Sequence, residues 1–341
     1  MKLTKAANIA ARSLTPNKPH HVQWLITRKC NYRCRGCNVW TEQDPTELST
    51  DQIKRGIDIL RKMGIVEMVF SGGDPLLRSD AQEIIEYASR FFVTTVYDNG
   101  SMAAKKIDAL RTVDFTAISF DSLVPSKMDY IKGVKGSYEK ALESVETLQE
   151  EGVNVAVTPT ISQLNIDEIV DITNHFTSMG VPVWYCLYNY DNTTDKNQLF
   201  RIGKAQDEFL IKDKQAMVNL CDELLEMKKK NKRILMTNKL FKAMRSLYAE
   251  NKRTWRCSAL QDFFIIDHLG RIGGCHGHNF VGSIFDLPEK WESEEFDNLR
   301  KTYRECKQCT YLCYIFYSLH SGPYGNLALA KEQWKNANLL L

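Results

Sequence analysis

The chain has 341 residues, 43% of them hydrophobic and 26% charged. This is ordinary globular usage, and it excludes a disordered or collagen-like polypeptide. At roughly 150 residues per domain the length predicts two units, or one large α/β domain with an appendage. No run approaches the roughly 18 apolar residues of a membrane span, and the first ten residues lack the apolar core of a secretory signal. The chain therefore reads as cytoplasmic. In that compartment its ten cysteines point to metal binding or catalysis rather than disulfides. The net charge of +3 says little, but its distribution is uneven: eight basic residues precede the first acid, Glu42.

In chain order, Leu3, Ala6, Ala7, Ala10 and Leu14 fall at helical spacing, with Lys2, Lys5 and Arg12 on other faces. This amphipathic segment ends at Pro16 and Pro19, and it allows a peripheral contact with an anionic membrane surface. A strand is predicted at His21–Thr27. Further strands are predicted over residues 67–70, 92–97, 115–120, 154–161 and 183–187. Helices are predicted between them over 51–63, 79–90 (with Ser79 as cap), 103–111, 137–151 and 166–179. Six strands alternating with five helices predict an α/β fold, a partial (β/α)6 TIM-like barrel. Helices follow over 207–230 and Asn238–Glu250. The run Lys228 to Arg233 reads as a solvated helix end. From about residue 250 the character changes, so the expected organisation is an N-terminal segment (1–20), a barrel (21–250) and a small cysteine-rich C-terminal domain (251–341).

Cys30, Cys34 and Cys37 lie in one short stretch directly after the first strand. Loops at the carboxyl ends of barrel strands are where such folds carry chemistry. Three thiolates on one loop suit three irons of a [4Fe-4S] cluster and leave one iron open, whereas a closed structural zinc site wants four ligands.

This CxxxCxxC loop resembles the signature of the radical S-adenosylmethionine superfamily. Further motifs match that family in order at strand ends. Ser71-Gly72-Gly73-Asp74-Pro75 resembles the GGEP motif, with Asp74 in place of the commoner Glu. Asp98-Asn99-Gly100 resembles the TNG turn, and Ser119-Phe120-Asp121-Ser122 the segment that contacts the ribose. Lys132 stands where relatives often have an Arg near the S-adenosylmethionine carboxylate. The resemblance covers roughly residues 21–190. It implies S-adenosylmethionine binding at Gly72, Gly73, Asp74, Asn99, Ser119, Asp121 and Lys132. It also implies an open iron that binds S-adenosylmethionine, and a reduced cluster that releases a 5′-deoxyadenosyl radical. A flavodoxin or ferredoxin is the implied electron donor.

A second group, Cys257, Cys275, Cys306, Cys309 and Cys313, brackets a predicted hairpin with its turn at 267–270. It is similar to the SPASM or Twitch auxiliary region of the same superfamily. A full SPASM domain carries seven cysteines, and five imply one auxiliary [4Fe-4S] cluster with one thiol to spare. Cys257, Cys275 and Cys309 are the expected ligands, and Cys306 and Cys313 compete for the last place. The alternative is a zinc ribbon. His276 and His278 read as loop histidines or as donors to cluster sulfur. Cys186 and Cys221 read as small core residues, although Cys186 ends a barrel strand. The aromatic tail Tyr314, Phe316, Tyr317 and Tyr324 reads chiefly as packing.

The expected function is a radical oxidoreductase that abstracts hydrogen from a peptide side chain or small metabolite. Two alternatives remain open: an isoprenoid or membrane-lipid substrate, and a non-catalytic iron–sulfur or zinc protein. The first strand begins near residue 21, so neither an upstream peptide-binding domain nor a cobalamin domain is expected. Neither basic segment is interleaved with aromatics, and no nucleic-acid partner is expected.

Overall fold

The computed structural model describes residues 19–41, 46–189, 208–308, 310–322, 324, 325, 329 and 332. The N-terminal amphipathic segment and Cys309 lie outside the described residues. Among those described, no helix is long and apolar enough to cross a membrane.

Five parallel strands, β1 (His21–Thr27), β2 (Glu67–Gly72), β3 (Val93–Asp98), β4 (Phe115–Ile118) and β5 (Val155–Val157), lie side by side in sequence order. Helices connect them: α1 (Thr50–Met63), α2 (Ala81–Ser89), the short α3 (Ile107–Leu110), α4 (Pro125–Lys132) and α5 (Ser137–Glu150). Strand β3 shows how the two faces differ. Thr94, Val96 and Asp98 are buried under helices, while Val93, Thr95 and Tyr97 stay partly accessible on the concave side. The outer face is filled closely. Trp24 of β1 is fully buried over Gly56 of α1, where a Cβ would come within 2.5 Å of the indole, and its Nε1–H donates to Asp267 O.

The expected strand over 154–161 breaks into β5 and β6 (Thr160–Ile161) at Pro159, which cannot donate to a ladder. β6 pairs in parallel with β7 (Cys186–Leu187), and isolated bridges Val157–Val183 and Val183–Ile234 carry the curve onward. Helices α6 (Ile169–Ser178), α7 (Lys214–Lys230) and α8 (Asn238–Glu250) follow. The basic end of α7 is not wholly solvated, because Lys228 is largely buried and donates to Ile234 O at 2.7 Å.

Two helical expectations differ in detail. Residues 103–111 form a 3-10 turn followed by the short α3 rather than one helix. Helix α2 is preceded by Asp80, not Ser79, and Asp80 makes no side-chain cap because Arg78 and Thr50 already occupy its carboxylate. Helix α4 was not expected, although Pro125 in its first turn and Gly133 at its end (φ 64°) are the usual boundary residues.

The C-terminal hairpin is not a layer apart. Strand β8 (Phe263–Ile266) pairs in parallel with β1, and β9 (Arg271–Gly273) and β10 (Gly282–Ser283) extend the same sheet antiparallel. All four residues of β8 are buried, as a central strand covered on both faces requires. The hairpin thus shares the barrel's sheet and its apolar core, across the boundary expected near residue 250. After α9 (Leu287–Lys290) and α10 (Glu294–Glu305), helix α11 (Leu312–Leu319) packs on the concave side: Phe316 meets Trp184, Tyr317 stacks on His21, and Tyr314 OH donates to Gln23 Oε1.

Arg78 fastens this frame near the end of β1. It is 3% exposed, donates to Ile26 O and Leu48 O at 3.0 Å, and forks onto Asp80 at 2.8–2.9 Å. Arg78→Ala leaves two buried carbonyls and a carboxylate without their donor. It should cost on the order of 3 kcal/mol, measured as the shift in denaturant unfolding relative to the parent chain.

Candidate active site at the carboxyl ends of the strands

The Cys30 loop is held by backbone contacts on two sides. Gly73 N donates to Thr27 O and Asp74 N to Lys29 O, both at 2.8 Å. The approach is so close that a Cβ on Gly72 would sit 2.3 Å from Thr27 O, and one on Gly73 2.2 Å from Lys29 O; Gly72 also has φ 140°. The close approach allowed by the two glycines is therefore to the chain's own cysteine loop, and these two N–H groups are spent there. On the other side, Arg33 N donates to Lys132 O and Arg35 N to Ile131 O. Trp40 Nε1 donates to Cys34 O at 2.9 Å.

The three thiols are partly accessible yet deeply surrounded, so they line a recess. Burial pushes Cys34 up to about 12 and Cys37 up to about 11, and it raises Cys30. They affect one another's ionisation, so all three share the recess. Among the described residues no group of three His, Cys, Asp or Glu is gathered as around a single metal ion. Ligands to different irons of one cluster stand further apart than ligands to one ion, and three recessed thiols on one loop fit a [4Fe-4S] cluster.

Polar residues from successive strand ends surround the recess. Asn99 Nδ2 lies 4.0 Å from Cys30 Sγ and donates to Asn31 Oδ1 at 2.9 Å. Ser119, partly accessible, donates its N–H to Asp98 O. Lys132 and Asp121 form a buried ion pair at 2.8 Å, each side chain 6% exposed. Burial works against the Lys132 ammonium, but Asp121 and the thiols of Cys34 and Cys37 outweigh it and hold its pKa above the usual value. Asp121 is fixed in turn, accepting from Thr160 N at 2.7 Å.

Asp74 is used internally. Its side chain is fully buried, and Oδ1 caps Leu76 N at 3.0 Å. The rest of the carboxyl meets Asp98, whose Oδ1 accepts from Gly100 N (2.7 Å) and Ala103 N (3.3 Å). Neither Oδ2 has another partner. Burial, and for Asp74 the neighbouring carboxylate, raise both pKa values, as two acids sharing a proton require. Sequence reasoning missed Asp98 in this role. The acid in the Asp-Asn-Gly turn was the available signal.

The second thiol group gathers at the other end of the sheet, since β8 starts level with His21. Cys275, Cys257 and Cys306 all lie within electrostatic reach of Tyr303, whose hydroxyl accepts from Gly274 N at 3.1 Å. His278 beside Cys306 holds that thiol below its usual value despite burial. His276 is buried between the rings of Tyr311 and Tyr314. Cys313 lies within electrostatic reach of Tyr97 and Tyr317 inside the barrel. Cys186 also faces this interior, and burial pushes its thiol up to about 12. Cys221 is a buried core residue of α7.

Because folding raises the Asp74 and Asp98 pKa values, the protonated pair stabilises the fold. That contribution is complete below the ordinary aspartate value near 4 and is lost as pH rises through the folded values. Asp98→Asn keeps the Oδ1 contacts and supplies N–H donors to Asp74. It should flatten the fall in stability from pH 5 to 8, read from denaturation midpoints across that range.

Residues 24–176 match the family described as the radical SAM superfamily. The AdoMet-dependent heme synthase of Oleidesulfovibrio alaskensis is 31% identical over 170 residues, 48% of this chain and 44% of that protein. The antilisterial bacteriocin subtilosin biosynthesis protein AlbA of Bacillus subtilis is 28% identical over 170 residues, 48% of this chain and 38% of that protein. The chain thus spans somewhat under half the length of these curated relatives. Among solved structures, Streptococcus suis SuiB bound to S-adenosylmethionine shares the fold, with TM-score 0.66 and 12% identity over 87% of this chain and 71% of that one. A second SuiB structure, with TM-score 0.63, holds the precursor peptide SuiA. Over residues 24–176, then, this chain is similar to the radical SAM superfamily, whose matched relatives include named synthases.

Proposed function

We propose that this protein is a radical S-adenosylmethionine enzyme that abstracts hydrogen from a polar substrate, a peptide side chain or a small metabolite, held inside the barrel. The observation that carries the reading is the recess of Cys30, Cys34 and Cys37, set beside the buried Lys132–Asp121 pair at the carboxyl ends of the strands. When bound there, a [4Fe-4S] cluster with S-adenosylmethionine supplies the deoxyadenosyl radical chemistry of the superfamily. The chain's part is to hold and orient. Cys30, Cys34 and Cys37 would ligate irons. Asn99, Ser119, Asp121 and Lys132 would position S-adenosylmethionine, with Gly72, Gly73 and Asp74 contributing backbone. A flavodoxin- or ferredoxin-like protein would supply the electron.

The concave face speaks to the substrate. It presents Gln23, Ser71, Thr95 and Tyr97, each partly accessible, with Gln23 Nε2 donating to Ser71 Oγ at 2.9 Å and the buried Tyr314 donating to Gln23 Oε1 behind them. Glu67 lies deep in the protein, yet 35% of its side chain is accessible. Its Oε2 accepts from Tyr317 OH at 2.8 Å and meets His21 Nδ1 at 3.1 Å. Polar groups of this density suit a hydrogen-bonding substrate better than an isoprenoid, because an apolar ligand would take their accessible atoms out of water without new partners. SuiB holds a precursor peptide, and AlbA acts in bacteriocin biosynthesis.

The second thiol group would hold an auxiliary [4Fe-4S] cluster through Cys257, Cys275, Cys306 and Cys309, leaving Cys313 as the spare thiol. Anaerobic reconstitution should give about eight irons per chain and 5′-deoxyadenosine on reduction. Cys34→Ala should abolish cleavage. Cys306→Ala should lose about four irons and retain uncoupled cleavage, whereas Cys313→Ala should keep the full iron count.

A further inference from the structure

The loop over residues 254–258 and the neighbouring ends of α8, α10 and α11 enclose a cavity of about 460 Å³. It opens at the amino end of the sheet, opposite the Cys30 loop, because residue 258 precedes β8 and β8 starts level with His21. Lys239, Arg256 and Arg304 line it, and no acidic residue is among its lining. Two of these cations rest on neutral oxygens: Lys239 Nζ donates to Leu319 O, and Arg304 Nη2 to Gln261 Oε1 at 3.3 Å. Among the described residues none of the three is paired with a carboxylate.

The floor is polar and ordered. Ser258 and Ser318 are 5% and 9% exposed, and Ser258 N donates to Ser318 Oγ at 3.1 Å. Burial, together with the positive charge of Lys239, lowers His320 behind this wall to about 4, so this imidazole is neutral and leaves the positive charge to the lining cations. A second cavity of about 400 Å³, lined by Asn251, Arg253 and Lys307, lies beside the same loop and adds two more cations. Five cations thus gather on one face of a chain whose formal net charge is only +3.

We propose that the 460 Å³ cavity binds a small polyanion, a molecule carrying two or more carboxylate or phosphate groups. Its volume is that of a small-molecule pocket. Clustered cations repel one another until an anion enters, and arginine forks match both anion types. Cys257 contributes to the lining, so the ligand would sit against the second thiol group and away from the S-adenosylmethionine site. The inference rests on this cavity alone and does not depend on the radical chemistry.

Isothermal titration of the full, anaerobically purified chain at low salt tests it, with pyrophosphate and with citrate as separate probes. At least one probe should bind saturably at one site per chain, and added salt should weaken it. The double variant R256E/R304E should weaken that binding roughly tenfold or more. Lys140→Glu, an exposed charge change on α5, should leave it unaltered. If the double variant fails to fold, R256Q alone should still weaken binding severalfold, because Arg256 is an exposed side chain. Preference for pyrophosphate or for citrate tells the phosphate class from the carboxylate class. No saturable binding of either probe, wild-type binding in the variants, or equal weakening in K140E would overturn the proposal.

Discussion

The contact between Gly72–Gly73 and Thr27–Lys29 is the constraint on which the site depends. β1 and β2 are neighbours in a parallel sheet, but pairing alone does not fix the path of the chain beyond their ends. The register shifts between Leu25 and Thr27, and two hydrogen bonds from Gly73 N and Asp74 N then lead directly into Cys30. No side chain fits between these two backbones. With Arg78 below and the Lys132–Gly133 turn above, the loop is fixed before any ligand arrives. Preorganised ligands of this kind reduce the ordering cost of binding.

The second consequence of the sheet is polarity. The Cys30 recess lies at the carboxyl ends of the strands, and Cys257, Cys275 and Cys306 lie at the amino end. They lie toward opposite ends of β1, whose seven residues span roughly 20 Å. The pairing of β8 with β1 is what puts both on one rigid frame. Between them stands a concave face of polar and aromatic side chains, partly covered by α11. A substrate there would lie between the two proposed iron–sulfur sites.

Much of the site was legible because it is local. Three cysteines in eight residues, the two glycines after β2 and the Asp-Asn-Gly turn after β3 need no tertiary knowledge to be noticed. Helix Asn238–Glu250 was likewise readable with these bounds, and in the structure Thr237 caps it by accepting from Leu240 N. What escaped depends on distance in sequence. Arg78 reaches Ile26 across 52 residues, and Asp74 meets Asp98 across a whole βα unit. Pairing of β8 with β1 joins residues more than 240 apart. The different surroundings of Cys306 and Cys313 follow from helical phase: Cys306 just ends α10, close to Tyr303, whereas Cys313 opens α11 on the face that carries Tyr317. A spacing pattern holds no record of which way a helix turns its residues.

The central claim is that glycine backbone packing presets the cysteine loop for its cluster. Electron paramagnetic resonance of the reconstituted, reduced Gly73→Ala chain tests it most directly, with iron content measured on the same sample. The account predicts loss of the S-adenosylmethionine-dependent change in the spectrum and loss of the irons assigned to the Cys30 loop. The irons at the far end of the sheet should be retained. A Gly73→Ala chain with full iron content and an undiminished S-adenosylmethionine response would contradict it.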